Sequence, residues 1–401
     1  MRPFTSIISL DEARRRLAEA VVPIARVERV GLDHAAGRVA AEDVTATADV
    51  PAFARGAMDG YALIAADTEM ASRATPVTLH VVERIYTGRS PSVSITRGTC
   101  AEIATGAPIP DGADAVVMVE ETSAAGTDVQ VFAQAATGQN IGRRGADISA
   151  GAVAVRAGDL LNPSRVGALA AIGCSQVEVY AKPRVAMLST GDEVIEPGTP
   201  LGPAQVFDVN RFTMAAIVQA HGGSPEPHRP VGDSVDALTA AVDACLSADI
   251  VVFSGGSSVG ERDLILDLIA RKGTMIFHGV AVKPGKPTAF ATIGGKPFFG
   301  MPGNPASCLS NAFVLLLPFL RATARLPPYR AQTVRVPLGR RIMSSPGRHQ
   351  FYTVRVSDGC AWPAFKGSGD ITSMSQADGY IEIPADRSGV EEHELVEVTL
   401  F

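Results

Sequence analysis

Cysteine is scarce and scattered: Cys100, Cys174, Cys245, Cys308 and Cys360 in 401 residues. The number is odd and no Cys-x-x-Cys pair occurs, so neither a disulfide framework nor a cysteine zinc site is indicated. The seven histidines form no cluster at ligand spacing. Positive charge is not in excess either. A formal net charge of −6 argues against general binding to nucleic acid or to a membrane surface, so any anion site must be local. The first residues, MRPFTSIISLDEARRR, lack the apolar core of a signal peptide. Long apolar runs are missing too. The longest uninterrupted one, Ala312–Leu320, is too short to span a bilayer and contains Pro318. Together these absences predict a reduced, cytoplasmic protein that binds neither nucleic acid nor membrane.

What the chain does have is glycine (39) and proline (27), with 46% hydrophobic and 19% charged residues. That composition predicts a loop-rich globular protein, and the length allows two to four domains. Ser9-Leu10-Asp11-Glu12 reads as a capping box opening a helix with apolar positions Ala13, Leu17 and Val21. From 51 to 140 the sequence changes to short β-prone runs, an inserted β-rich domain. It interrupts a mixed α/β N-terminal domain, 1–50 and 141–182. Residues 183–326 alternate apolar strands with helices, which predicts a parallel, doubly wound α/β domain covered on both faces. The predicted helices are Arg211–Ala220, Ser234–Leu246, Arg262–Lys272 and Ala306–Leu317, with Gly222, Gly223 and Gly273 as C-caps. Residues 327–401 turn β again, a small C-terminal barrel or sandwich.

The densest chemistry lies between Phe277 and Leu309. Two proline-pinned loops, Lys283-Pro284-Gly285-Lys286-Pro287 and Pro302-Gly303-Asn304-Pro305, each follow an apolar strand, and the second opens a helix containing Ser307. Proline fixes φ and restrains the residue before it, while glycine lets backbone approach a ligand. Two lysines on so stiff a frame, near a helix N-terminus, suit an anion. Solvated turn lysines are the bland alternative.

Two further Gly-rich turns fall at carboxyl ends of strands, where open α/β sheets bind ligands. One is Ser189–Glu193. The other runs from Ser254 through Gly255, Gly256, Ser257 and Ser258 to Gly260; it suits phosphate but matches neither a Walker loop nor Gly-x-Gly-x-x-Gly. A plain strand–turn–helix connection accounts for it about as well. Glu193 and Asp263 belong to the same sheet edge and could hold Mg²⁺, although Asp263 equally suits a first helical turn. In the inserted domain, Asp59-Gly60 is a turn signal and Thr105–Pro110 reads as a connector; the stretch around Asp147, just beyond that domain, is a weaker signal still.

Taken in order, FARGAMDGYALIA, IATGAPIPDGADAVVMVE, RRGADI, STGDE, Asp208-Val209-Asn210-Arg211, SGGSSVGERD, VAVKPGKP and GMPGNPAS resemble the MoeA / gephyrin E-domain family, the molybdopterin molybdenumtransferases. The resemblance spans essentially the whole chain, strongest from Pro51 to Ser310 and weak beyond Pro327. It implies a homodimer of four-domain subunits whose third domain is a MogA-like molybdopterin-binding fold. It also implies an active site shared between subunits. The implied reaction inserts molybdate into adenylylated molybdopterin and releases AMP, with Mg²⁺. Molybdopterin adenylyltransferase and molybdoenzyme-maturation proteins would be its partners.

By that resemblance Asp59, Glu193, Asp263, Lys283 and Lys286 are the catalytic candidates, and Asp59, Asp147, Glu193 and Asp263 the metal ligands. Asp59, Thr105 and Asp147 would come from the partner subunit. Thr105, Gly255, Gly256, Ser258, Pro302, Gly303, Asn304, Pro305, Ser307, Arg348 and Ser368 would line the pterin and oxyanion pocket. Two residues depart from the family pattern: Gly56 stands where Ser is usual, and Ser257 where Val is usual. Neither removes an expected charge. A non-catalytic scaffold of the gephyrin type is the competing reading; the absence of a fused partner domain favours the enzyme.

Overall fold

The structure, a computed structural model, describes residues 7–255 and 264–401. The described residues fall into two units. One holds residues 29–36 and 40–178, the other residues 7–28, 37–39 and 179–401.

Ser9 caps the first helix, α1 (Leu10–Glu19), its Oγ accepting from the Glu12 N–H at 3.2 Å. The Glu12 carboxylate turns to Arg15 and Arg16 instead of closing the box. Leu10, Ala13 and Leu17 are buried among residues drawn from 185 to 351, so α1 packs with the later unit. Arg26 ties the following segment to the same unit through two 2.7 Å bonds to Asp249.

The earlier unit carries a six-stranded sheet of β1 (Gly60–Leu63), β2 (Val77–Ile85), β3 (Thr99–Ile103), β4 (Ala115–Met118), β5 (Thr122–Ala125) and β6 (Asp128–Val131). Their order is β4-β1-β3-β2-β6-β5, with only β2 and β3 parallel. Alternate residues face two separate cores. Leu63, Val117 and Val129 pack on one side, and Ala62, Ile103 and Val116 on the other.

In the later unit, β7 (Arg184–Ser189), β8 (Ser224–Pro227), β9 (Ile250–Ser254), β10 (Gly273–His278), β12 (Ala289–Ile293) and β13 (Lys296–Met301) form a sheet ordered β8-β7-β9-β13-β12-β10. The short strand between β10 and β12, β11 (Val282–Lys283), lies outside this sheet. Helices α2 (Asn210–Ala220) and α5 (Pro305–Thr323) cover one face, over Val185, Met187, Val252 and Phe299. Helices α3 (Val235–Cys245) and α4 (Leu264–Lys272) cover the other, over Ala186, Leu188, Phe253 and Phe298. This is the doubly wound arrangement expected from uniformly apolar strands.

Three details correct the sequence reading. The sheet is parallel only across β8, β7, β9 and β13; β12 and β10 run antiparallel at one edge. The Gly294-Gly295 hairpin joining β12 to β13, both residues at positive φ (57° and 74°), makes β12 antiparallel to β13. Gly273 does follow α4 directly, but not as a left-handed cap; it opens β10, where a Cβ would meet Thr292 O at 2.2 Å. Gly222, at φ +89°, does follow a helix end as expected. The last helix does not stop at Leu317. It continues through Pro318 to Thr323 by way of a π turn at Ala312–Leu316, which accommodates the missing proline N–H. At 19 residues it is long and apolar enough to cross a membrane, but 72% of it is buried within the protein as core.

The C-terminal segment supplies β14 (Thr333–Pro337), β15 (His349–Ser357), β16 (Cys360–Pro363), β17 (Gly379–Ile383) and β18 (Leu395–Leu400). The sheet order is β11-β15-β17-β18-β14, with β16 paired to β15. Its edge strand β11 therefore comes from the α/β segment. Val282 pairs with His349 and Lys283 with Gln350, which carries the lysine loop onto the C-terminal sheet.

Candidate active site

The carboxyl ends of β7, β9 and β13 converge, and polar contacts stitch their turns together. The Thr190 N–H donates to Ser254 O at 3.0 Å, and the Gly255 N–H to Met301 O at 3.3 Å. Gly255 sits at φ +104°, and a Cβ there would lie 2.4 Å from Thr190 O. Only glycine lets these two turns approach so closely. Asn210, at the start of α2, donates through Nδ2 to Gly303 O at 2.8 Å. Beneath them Ser189 Oγ donates to Asp208 Oδ1 at 3.0 Å, and the Arg211 N–H reaches the same oxygen at 3.1 Å.

A cavity of about 1240 Å³ opens above this floor. The lysine loop forms one wall, the Pro302–Pro305 loop another, and the C-terminal segment around Arg348, Ser368 and Gly369 a third. Asn304 Nδ2 donates to Ser368 Oγ at 3.1 Å, and the Ala306 N–H to Ser368 O at 3.1 Å, joining the second and third walls. Lys283 Nζ donates to Ser345 Oγ at 3.5 Å. Three cations (Lys283, Lys286 and Arg348) therefore share one cavity with the carboxylates of Glu193, Asp208 and Asp233. Ammonium and guanidinium groups gathered in the lining of one cavity of an acidic protein are what an oxyanion needs. Burial, helped by the Asp208 charge, pushes the Cys308 thiol well up, so this wholly enclosed cysteine stays neutral.

Of the residues singled out from sequence, Glu193, Gly255, Lys283, Lys286, Pro302, Gly303, Asn304, Pro305, Ser307, Arg348 and Ser368 all line this cavity. Asp59 and Thr105 come together in the other unit. The Thr105 N–H and Oγ1 both donate to Asp59 Oδ1, at 2.6 and 2.9 Å, and these two bonds hold the Asp59 carboxyl below its ordinary range. Asp147 is exposed in that same unit, on a segment whose neighbour Ile148 bridges Val50. Gly256, Ser258 and Asp263 lie outside the described residues, as does Ser257. Among the described residues no three metal-ligating side chains cluster. Sequence reasoning missed Asp233, to whose Oδ1 the Oγ1 of Thr190, in the Ser189–Glu193 turn singled out from sequence, donates at 2.7 Å. Asp233 ends a loop with no repeat or spacing to mark it.

Three family models match this chain. They are the MoeA N-terminal region (domain I and II) over residues 8–173, a probable molybdopterin binding domain over 186–322, and the MoeA C-terminal region (domain IV) over 335–401. Molybdopterin molybdenumtransferase 2 of Mycobacterium tuberculosis is 34% identical over 389 residues, 94% of this chain and 96% of that one. The chain belongs to the MoeA family. The molybdopterin molybdenumtransferase of Haemophilus influenzae is 30% identical over 404 residues, covering 98% of this chain and 99% of its own. Two solved MoeA structures from Pyrococcus horikoshii match with TM-scores of 0.85 and 0.83, at 36% and 31% identity, covering 98% and 99% of this chain. The MoeA likeness thus extends over the C-terminal segment, where the sequence resemblance was weakest.

Proposed function

We infer that this chain is a molybdopterin molybdenumtransferase, which inserts molybdenum from molybdate into molybdopterin. The observation that carries the reading is the convergence of Lys283, Lys286 and Arg348, from two separate parts of the chain, on one large cavity. Molybdate is a tetrahedral dianion, and fixed ammonium, guanidinium and hydroxyl donors are the groups that hold one. Ser368 supplies the hydroxyl. The Pro302–Pro305 loop and the Gly255 turn frame the pterin dithiolate. The substrate is the adenylylated pterin, and AMP leaves as molybdenum enters. Tight orientation of two anions, more than acid–base power, carries the rate.

Magnesium belongs to the same reading. Mg²⁺ keeps most of its waters and needs only one or two carboxylates plus a substrate phosphate, so the exposed Glu193 carboxylate in the cavity fits it. Asp263, and Asp59 and Asp147 of a second copy, would be its further ligands. The ion would neutralise charge on the adenylate phosphates. The protein would act as a cytoplasmic homodimer with the four-part division at 51, 141, 183 and 327. It would receive substrate from molybdopterin adenylyltransferase and pass product to molybdoenzyme-maturation proteins.

The test is incubation of the purified protein with adenylylated molybdopterin, molybdate and Mg²⁺. Molybdate-dependent release of AMP is expected, and AMP at the background level would overturn the reading.

A further inference from the structure

The lysine loop is held by a residue that no functional reading above uses. Asn311 lies in α5, at the junction with the π turn, and is fully buried. Its Nδ2 donates to Gly285 O at 2.7 Å and to Thr288 Oγ1. Thr288, also fully buried, donates through the same Oγ1 to Gly285 O at 2.9 Å. Gly285 is the centre of the lysine loop, at φ +99°, and a Cβ there would strike Asn311 Nδ2 at 2.3 Å. Glycine and asparagine are thus fitted to each other. The Asn311 Oδ1 is buried with no hydrogen-bond partner. An unpaired buried acceptor costs stability, and leucine would fill similar space without one. What asparagine contributes in return is the pair of donors on the loop.

The same helix begins at Pro305 and carries Ser307 into the cavity wall. One rigid element therefore touches both stiff loops. Given the oxyanion reading above, on which this step rests, we propose that Asn311 is a positioning residue: with Thr288 it pins the Gly285 peptide and so sets Lys283 and Lys286 at a fixed offset from the Pro302–Pro305 loop. Glycine at positive φ is the soft point of an otherwise proline-locked segment. Without the pin its peptide turns more freely, and the two lysines lose the fixed placement that holding one oxyanion needs.

The test compares the full-length wild type with Asn311→Leu and Thr288→Val in steady-state AMP release, varying molybdate, alongside thermal unfolding. For Asn311→Leu the KM for molybdate should rise about tenfold, the worth of one to two good hydrogen bonds. The saturating rate should stay within about twofold and the unfolding temperature should not fall. Thr288→Val should raise the same KM by less, and the double variant should be no worse than Asn311→Leu alone, because both act on one carbonyl. Should Asn311→Leu not fold, Thr288→Val carries the same test. A wild-type KM in the folded variants, with only a lowered unfolding temperature, would overturn the proposal and leave Asn311 a packing residue. Failure of the underlying reading looks different, since the wild type itself would then release no AMP.

Discussion

Asp59 shows how two hydrogen bonds set a residue's chemistry. Both donors come from Thr105, one backbone and one side chain, and both reach the same carboxylate oxygen. They favour the ionised form, so the carboxyl titrates below the ordinary value of 3.8. A carboxyl depressed in the folded state contributes stability above its ordinary pKa, and that contribution is lost as pH falls through the depressed value. Asp59 is fully exposed, so the consequence to look for is in titration and not in stability. Thr105→Val removes one donor and keeps the backbone one. Its Asp59 should titrate closer to 3.8 than in the wild type, followed by carboxyl NMR against pH. An unmoved titration would mean that the hydroxyl bond is absent in solution. At this scale the sequence was legible in part. It marked Asp59-Gly60 as a turn, yet Gly60 opens β1, where a Cβ would sit 1.9 Å from Val117 O. A glycine needed for close strand approach and one needed for a turn look identical in a single sequence.

The site's elements were easier to read than their junctions. Strand–turn–helix order across 183–326 followed from apolar runs and caps, because those signals are local. The antiparallel edge was written in Gly294-Gly295 and overlooked. The passage of α5 through Pro318 was not written anywhere, since tertiary burial, not propensity, keeps that helix together. The Gly255 turn is the junction on which the cavity floor depends. Gly255→Ala would place a methyl 2.4 Å from Thr190 O at φ +104° and force β7 and β9 apart at their carboxyl ends. The cost should be at least about 2 kcal/mol, read as a lower midpoint in urea unfolding. Affinity for AMP should fall in the same variant. A variant with unchanged midpoint and unchanged AMP binding would show that the floor tolerates the shift and that its stitching is incidental.

For the whole molecule, the long-range pairings were illegible. Nothing near Leu10 announces that α1 packs beside residues from 185 onward, and nothing near Val282 announces a strand in the C-terminal sheet. Such contacts join segments far apart in sequence and leave no local pattern. The oxyanion cavity belongs to one unit, while Asp59, Thr105 and Asp147 belong to the other. The proposed homodimer joins the two sets across subunits, and that arrangement has a consequence no single-chain site shares. Asp59→Asn and Lys286→Ala should each abolish AMP release as homodimers. In a dimer with one subunit of each kind, one site collects both defects and the other collects none. After equal mixing and subunit exchange, about one quarter of wild-type activity should return, because half of the dimers are mixed and one of two sites in each is intact. The measurement is AMP release before and after exchange, with mixed dimers counted by two different affinity tags. Mixed dimers that form but stay inactive would place Asp59 and Lys286 in the same subunit's site and end the shared-site reading.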